Sequence, residues 1–93
     1  MEIDIGTKEL NDKVSVIRIL SHPIRYSIAL ILYKHGVQNV GTIQKSLNLS
    51  QSTVSQHISK MREAGIVASR REGTKLYYSL VDPMAIKVIE TLG

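Results

Sequence analysis

The sequence predicts an α+β, mainly α domain of five helices and a two-stranded β-hairpin. Three observations predict it. Apolar residues recur at helical spacing in segments separated by capping residues. One stretch, Lys75–Leu80, alternates instead with the period of a strand. Two of the helices are joined by only three residues, Asn48-Leu49-Ser50, and the second of them is polar, which is the helix-turn-helix pattern. With 93 residues, 43 % apolar and 22 % charged, the chain reads as one globular domain spanning residues 1–93.

The first helix is expected from Thr7 to about Leu20. Leu10, Val14 and Ile17 fall at i, i+4 and i+7, and Val16 and Leu20 add a second apolar edge. A second helix is expected to start at Ser21 as N-cap, with Pro23 in its first turn, and to stop at Gly36. Ile28, Ala29, Leu30, Ile31 and Leu32 leave it no polar face, so it should be central. Asn39 can cap a short helix, Val40–Leu47, and Asn48 tolerates the left-handed conformation that ends it. Leu49 is then an apolar plug, and Ser50 caps a helix reaching about Ala64 before Gly65.

The hairpin follows. Leu76, Tyr78 and Leu80 alternate with Lys75, Tyr77 and Ser79, Val67–Arg71 is the partner strand, and Glu72-Gly73-Thr74 supplies the turn. Asp82 as N-cap and Pro83 at N1 begin a last, mostly apolar helix. A helix-turn-helix followed by a basic hairpin makes a winged helix-turn-helix.

Charge is unevenly placed. Residues 1–12 carry −3, residues 13–80 carry +8, and residues 81–93 carry −1. No acid occurs from Lys13 to Arg62. A basic middle suggests a polyanion-binding face, against the plain alternative of a solvated basic surface. The absence of Cys excludes disulfides, thiolate metal sites and cysteine redox switches within this chain. No stretch approaches the roughly 18 apolar residues of a membrane span. The start, MEIDIGTKEL, has three acids and no basic n-region, so no signal peptide is expected and the cytoplasm is the default location.

The segment LSQSTVSQHISKM, Leu49–Met61, is unusual for a surface helix. Val54, Ile58 and Met61 cluster within about 60° around the axis. Ser52, Gln56, Ser59 and Glu63 lie opposite, bordered by Thr53 and Lys60 on one side and Ser55 on the other. Gln51, His57 and Arg62 sit at the edge of the apolar stripe. Hydroxyls and amides suit base edges and phosphates, and an acid-free first turn suits a phosphate at a helix N-terminus. A solvated face is the alternative, but Ser and Thr are poor helix formers, so this composition carries a propensity cost. Near the hairpin tip, Arg70, Arg71 and Lys75 would be merely solvated in isolation; after a helix-turn-helix they look like a wing on phosphate or the minor groove.

The motifs LSHPIRYSIALIL, LNLSQSTVSQHISKMREAGIV and RREGTKLYYSL, in that order over residues 14–82, resemble the ArsR/SmtB family of bacterial winged-helix repressors. Within that family the middle segment is most similar to PagR-type members. The resemblance implies a homodimer with the first and last helices at the interface, a helix 50–64 in the major groove and a hairpin wing 67–80 at the flanks. By motif position, Ser50, Gln51, Ser52, Thr53, Ser55, Gln56 and His57 match the DNA-reading segment, with Lys60 on the same outer face, and Arg70, Arg71 and Lys75 match the wing. The partner implied is an operator duplex. The apolar last helix, unpartnered in a chain this short, points independently to dimerisation.

The departures concern metal. Metal-sensing members carry a Cys pair before the turn, where this chain has NVGTIQKSL. Others use Asp and His on the last helix; Asp82 matches the Asp, but Met84 stands where the His is expected and the sequence stops at Gly93. Asp82 is therefore expected to be a helix cap. His22 and His35 lie at opposite ends of one helix, about 20 Å apart, too far to share a metal. His35 suits the helix C-terminus, and His57 is read as a DNA or core-edge residue. No metal or cofactor is expected, and the motifs name no inducer.

Three function classes follow: a sequence-specific dimeric repressor, a winged-helix module that binds protein, and an enzyme. A metal-responsive repressor with a non-standard site is a variant of the first. Protein-binding faces expose aromatic or aliphatic anchors, which this helix lacks. Ser55 and His57 lie about 200° apart around the helix, so they cannot form a nucleophile–base pair. The repressor is the expectation.

Overall fold

The computed structural model describes residues 1–93. The elements are α1 (Lys8–Leu20), α2 (Pro23–His35), β1 (Gln38–Asn39), α3 (Val40–Leu47), α4 (Gln51–Glu63), β2 (Val67–Glu72), β3 (Lys75–Leu80) and α5 (Pro83–Leu92). All five expected helices form. α2 lies at the centre, packed on α1, α3, α4, α5 and β3. Its Ile28 and Ala29 are fully buried. The buried core is apolar throughout, with Val54, Ile58 and Met61 of α4 in it as the sequence stripe predicts. No single helix is long and apolar enough to cross a membrane.

The joint between α1 and α2 differs from expectation. Ser21 does not cap α2; it closes α1, its hydroxyl donating to the Arg18 carbonyl at 2.7 Å. His22 caps α2, its Nδ1 accepting the Ile24 amide at 3.1 Å. Pro23 explains the shift. A residue before proline is pushed out of the helical region, and His22 is extended (φ −98°, ψ 131°) while Ser21 is not.

The sheet is also larger than a hairpin. β1 adds a third antiparallel strand, in the order β1-β3-β2, with Gln38 opposite Tyr78 and Asn39 opposite Tyr77. Two residues are too short to show a strand period in sequence. β2 runs one residue further than expected, to Glu72, which pairs with Lys75. The loop is therefore only Gly73-Thr74. Gly73 has φ +61° and Thr74 does not share the positive sign, the pattern of a type II′ turn with glycine first.

Both helices of the helix-turn-helix end the same way. Asn48 is left-handed (φ 54°, ψ 49°); its amide donates to the Lys45 carbonyl and that of Leu49 to the Gln44 carbonyl. Gly65 is at φ +75°, its amide donating to the Arg62 carbonyl and that of Ile66 to the Met61 carbonyl. These are Schellman motifs, and the apolar residue that follows each, Leu49 or Ile66, packs into the core.

One stripe of α1 is turned outward. Val16 and Leu20 are buried, but Val14 and Ile17, of the apolar row that marks the helix in sequence, are 41 % and 57 % exposed. With Met84, Val88 and Leu92 of α5, Val16 and Ile17 line an apolar groove of about 490 Å³, flanked by Lys13 and Lys87. The core-facing edge of α1 is thus the Val16–Leu20 edge, and the other stripe is left without a partner inside the chain.

Ile66 is fully buried in the turn between α4 and β2, where its carbonyl also accepts the Val81 and Asp82 amides. Ile66→Ala should lower unfolding free energy by about 2–5 kcal/mol, whereas Ser69→Ala on the exposed part of β2 should change it by less than about 0.5 kcal/mol, as read by urea denaturation.

Candidate nucleic-acid interface

α4 is held by its apolar stripe and capped by Ser50, whose Oγ accepts the Thr53 amide at 3.2 Å. The same hydroxyl donates to Thr53 Oγ1 at 2.8 Å, and Ser52 Oγ lies 3.3 Å away. Three hydroxyls at the helix start are therefore linked to one another. Gln51, Gln56, Ser59 and Lys60 are exposed and make no side-chain hydrogen bond within the protein. Their donors and acceptors are free for a partner. Ser55 is half-buried and faces sideways, toward the wing.

Sideways from α4 lies a polar cleft of about 550 Å³. Gln51 and Ser55 of α4, Thr42 and Lys45 of α3, and Arg71 and Lys75 of the wing all line it. Three cations line the cleft and no acid does. The register explains why Arg71 points there: it pairs with Leu76, on the same face of the hairpin as the buried Val67 and Tyr78. Arg70 lies on the opposite face, opposite Tyr77, and its Nη2 is 2.9 Å from Glu72 Oε1. Sequence reasoning grouped the three wing cations. The structure brings Arg71 and Lys75 to the cleft and gives Arg70 a carboxylate partner.

Two contributors were not singled out by the sequence. Lys45 and Thr42 lie on the short helix before the turn, and the only signal for Lys45 was its place inside the acid-free stretch. Asn39 also lines the cleft; its Oδ1 accepts from the Thr42 amide at 2.9 Å and hydroxyl at 3.2 Å, fixing the start of α3 beside the sheet.

His57 does not sit with the outer face. It is half-buried and turned toward α2, with its ring centroid 4.5 Å from that of His22 and its Nδ1 3.4 Å from Arg25 Nη1. Burial first, and then the nearby His22, Arg25 and Lys60 charges, hold its pKa below the ordinary histidine value. His35 is exposed in the last turn of α2, and Asp82 caps α5 by accepting the Ala85 amide at 3.1 Å, as expected of it.

This arrangement has known counterparts. The sequence profile described as bacterial regulatory protein, arsR family, matches residues 22–69, half of the chain and the whole of α2 through α4. The chain belongs to the ArsR family. It is 40 % identical over 84 residues to the transcriptional repressor PagR of Bacillus anthracis, an alignment covering 90 % of this chain and 84 % of that protein. It is 35 % identical to the biofilm growth-associated repressor of Agrobacterium fabrum, over 91 % of this chain and 72 % of that one. The crystal structure of PagR superposes with a TM-score of 0.84 at 39 % identity, over 91 % of this chain and 97 % of that one. HlyU from Vibrio cholerae superposes with a TM-score of 0.87 at 29 % identity, over 91 % of each. As an ArsR-family winged helix-turn-helix, the chain is a DNA-binding transcriptional regulator and not an enzyme.

The Arg70–Glu72 pair sets one expectation for such a regulator. Glu72→Ala frees Arg70 and removes a negative charge from the wing, so affinity for duplexes of any sequence should rise roughly twofold to fivefold at low salt, measured by fluorescence anisotropy.

Proposed function

We propose that the protein is a homodimeric, sequence-specific repressor acting on operator DNA in the cytoplasm. The observation that carries this reading is the cleft where the acid-free start of α4, Lys45 of α3, and Arg71 and Lys75 of the wing face one space. A phosphate strand running through that cleft would place the outer face of α4 against base edges. Gln56, exposed and unengaged, is the main base reader, with Gln51, Ser52 and Ser55 beside it and Lys60 on the flanking backbone. Ser50 and Thr53 act at the helix start through their linked hydroxyls. Arg71, Lys75 and Arg70 of the wing contact phosphate at the flank, Arg70 least because of Glu72.

The apolar groove between α1 and α5 supports the dimer. Its Ile17 and Leu92 are 57 % and 69 % exposed in the single chain, which is costly unless a second copy covers them. A two-fold dimer would present two copies of α4 to successive turns of the major groove, on a pseudo-palindrome whose half-sites are about one helical turn apart. Bound over a promoter, it would exclude polymerase.

Operator selection from a random duplex pool, followed by footprinting, tests the reading; recovery of no enriched sequence at low salt would overturn it. On the selected operator, Gln56→Ala should relax preference at one base position by about 1–3 kcal/mol. Lys45→Ala and Arg71→Ala should instead weaken binding to all sequences and each lower the salt slope by about 1. Separately, Ile17→Glu should shift the protein to a monomer by analytical ultracentrifugation and abolish protection of the paired half-sites, while circular dichroism remains helical.

A further inference from the structure

The beginning of α2 and the middle of α4 meet through three side chains that the DNA-reading surface does not use. His22 caps α2 through Nδ1. Its ring packs on the His57 ring at 4.5 Å between centroids, tilted by 42°. Arg25 reaches both ways: Nε donates to the Ile19 carbonyl near the end of α1 at 2.7 Å, and Nη1 lies 3.4 Å from His57 Nδ1. Guanidinium has donors only, so this contact requires an unprotonated Nδ1 on His57. The cap likewise requires an unprotonated Nδ1 on His22, since a protonated one cannot accept the Ile24 amide.

The cluster has no anion. The charged and titratable groups facing His57 are His22 and Arg25 from α2 and Lys60 from α4 itself. No acid occurs between Lys13 and Arg62, so none stands in the sequence on either side to accept a second positive charge. A proton on His57 would sit against Arg25, lose its acceptor role and push the two helices apart.

We propose that His57 is a positioning residue that sets α4 on α2 through its neutral ring, so that acid loosens the recognition helix and switches operator binding down. The inference rests on the DNA-binding reading above, but the docking of α4 that it invokes belongs to the free protein. Imidazole ordinarily titrates near 6.5, and burial and the surrounding cations place the folded value lower. The stabilisation is therefore complete above about pH 6.5 and is lost as pH falls from there through the folded value.

His57→Gln keeps an acceptor for Arg25 and cannot be charged, which makes it the comparison. Wild type and His57→Gln are melted without DNA, and titrated with the selected operator by anisotropy, from about pH 7.5 to about pH 5.5 at fixed ionic strength. The expected result is that acid lowers the wild-type melting temperature more than the variant's, and weakens wild-type operator binding roughly threefold to tenfold more. Parallel pH profiles for the two proteins overturn the proposal. So does wild-type affinity that rises in acid relative to the variant, because His57 would then be a protonated phosphate contact. If the variant does not fold, NMR titration of the His57 ring in wild type decides. A value that falls further when operator is added supports the positioning role, because a proton that weakens binding is itself disfavoured by binding, and a value unchanged or raised by operator overturns it. Failure of the DNA-binding reading shows separately, as absence of any operator complex at about pH 7.5, while melting and NMR of the free protein still read the cluster.

Discussion

The fold turns on Ile66. Its side chain has no exposed surface. Its amide donates to the Met61 carbonyl, and its own carbonyl accepts the Val81 amide at 3.0 Å and the Asp82 amide at 3.3 Å. One residue therefore ends α4, begins the hairpin, and receives the chain again where β3 hands over to α5. Gly65 makes the reversal available at little steric cost, and the apolar side chain behind it holds the reversal in place. Two of the three elements that line the cleft hang from this knot, α4 on one side and the wing on the other, while α3 brings Lys45 from before the turn.

A different economy governs the surface. The outer face of α4 has given up the usual Glu/Lys pattern and with it the small helix stabilisation that such pairs supply. What replaces it is a division of labour among short side chains. Ser50, Thr53 and Ser52 engage one another at the helix start, which organises the cap. Gln51, Gln56 and Ser59 engage nothing in the protein. The first group holds the helix and the second leaves its hydrogen-bonding capacity to water or to a ligand, where a mismatch leaves polar groups unpaired and is penalised.

Much of this was legible in the sequence. Caps at Asn39, Ser50 and Asp82 marked helix starts, because each has a side-chain oxygen at the position where an amide needs one. The stripe Val54–Ile58–Met61 placed α4 correctly, since spacing alone fixes which side chains share a face. The unread parts have identifiable causes. The cap at His22 was hidden because Pro23 overrode the better capping residue, Ser21. Strand β1 was hidden because two residues have no period. The outward turn of Val14 and Ile17 was hidden because α1 carries two apolar edges and only tertiary packing selects between them. The meeting of His22 with His57, thirty-five positions apart, is a product of helix packing and has no local signature.

Asn39 serves two structures at once. Its backbone pairs with Tyr77 in the sheet, and its side chain caps α3. The base of the wing and the first helix of the helix-turn-helix thus share a residue, and the wing's other root is the Ile66 knot that ends α4. Tied at both roots, hairpin and helix are set like the two jaws of a caliper at one opening. A caliper so set does not adapt to the object it measures. The burden of fitting passes to the duplex, whose groove width and stiffness vary with sequence. Sites that adopt the required spacing cheaply would be favoured over sites with the same contacted bases and a stiffer step between them, so that base pairs no side chain reaches would enter the choice of target.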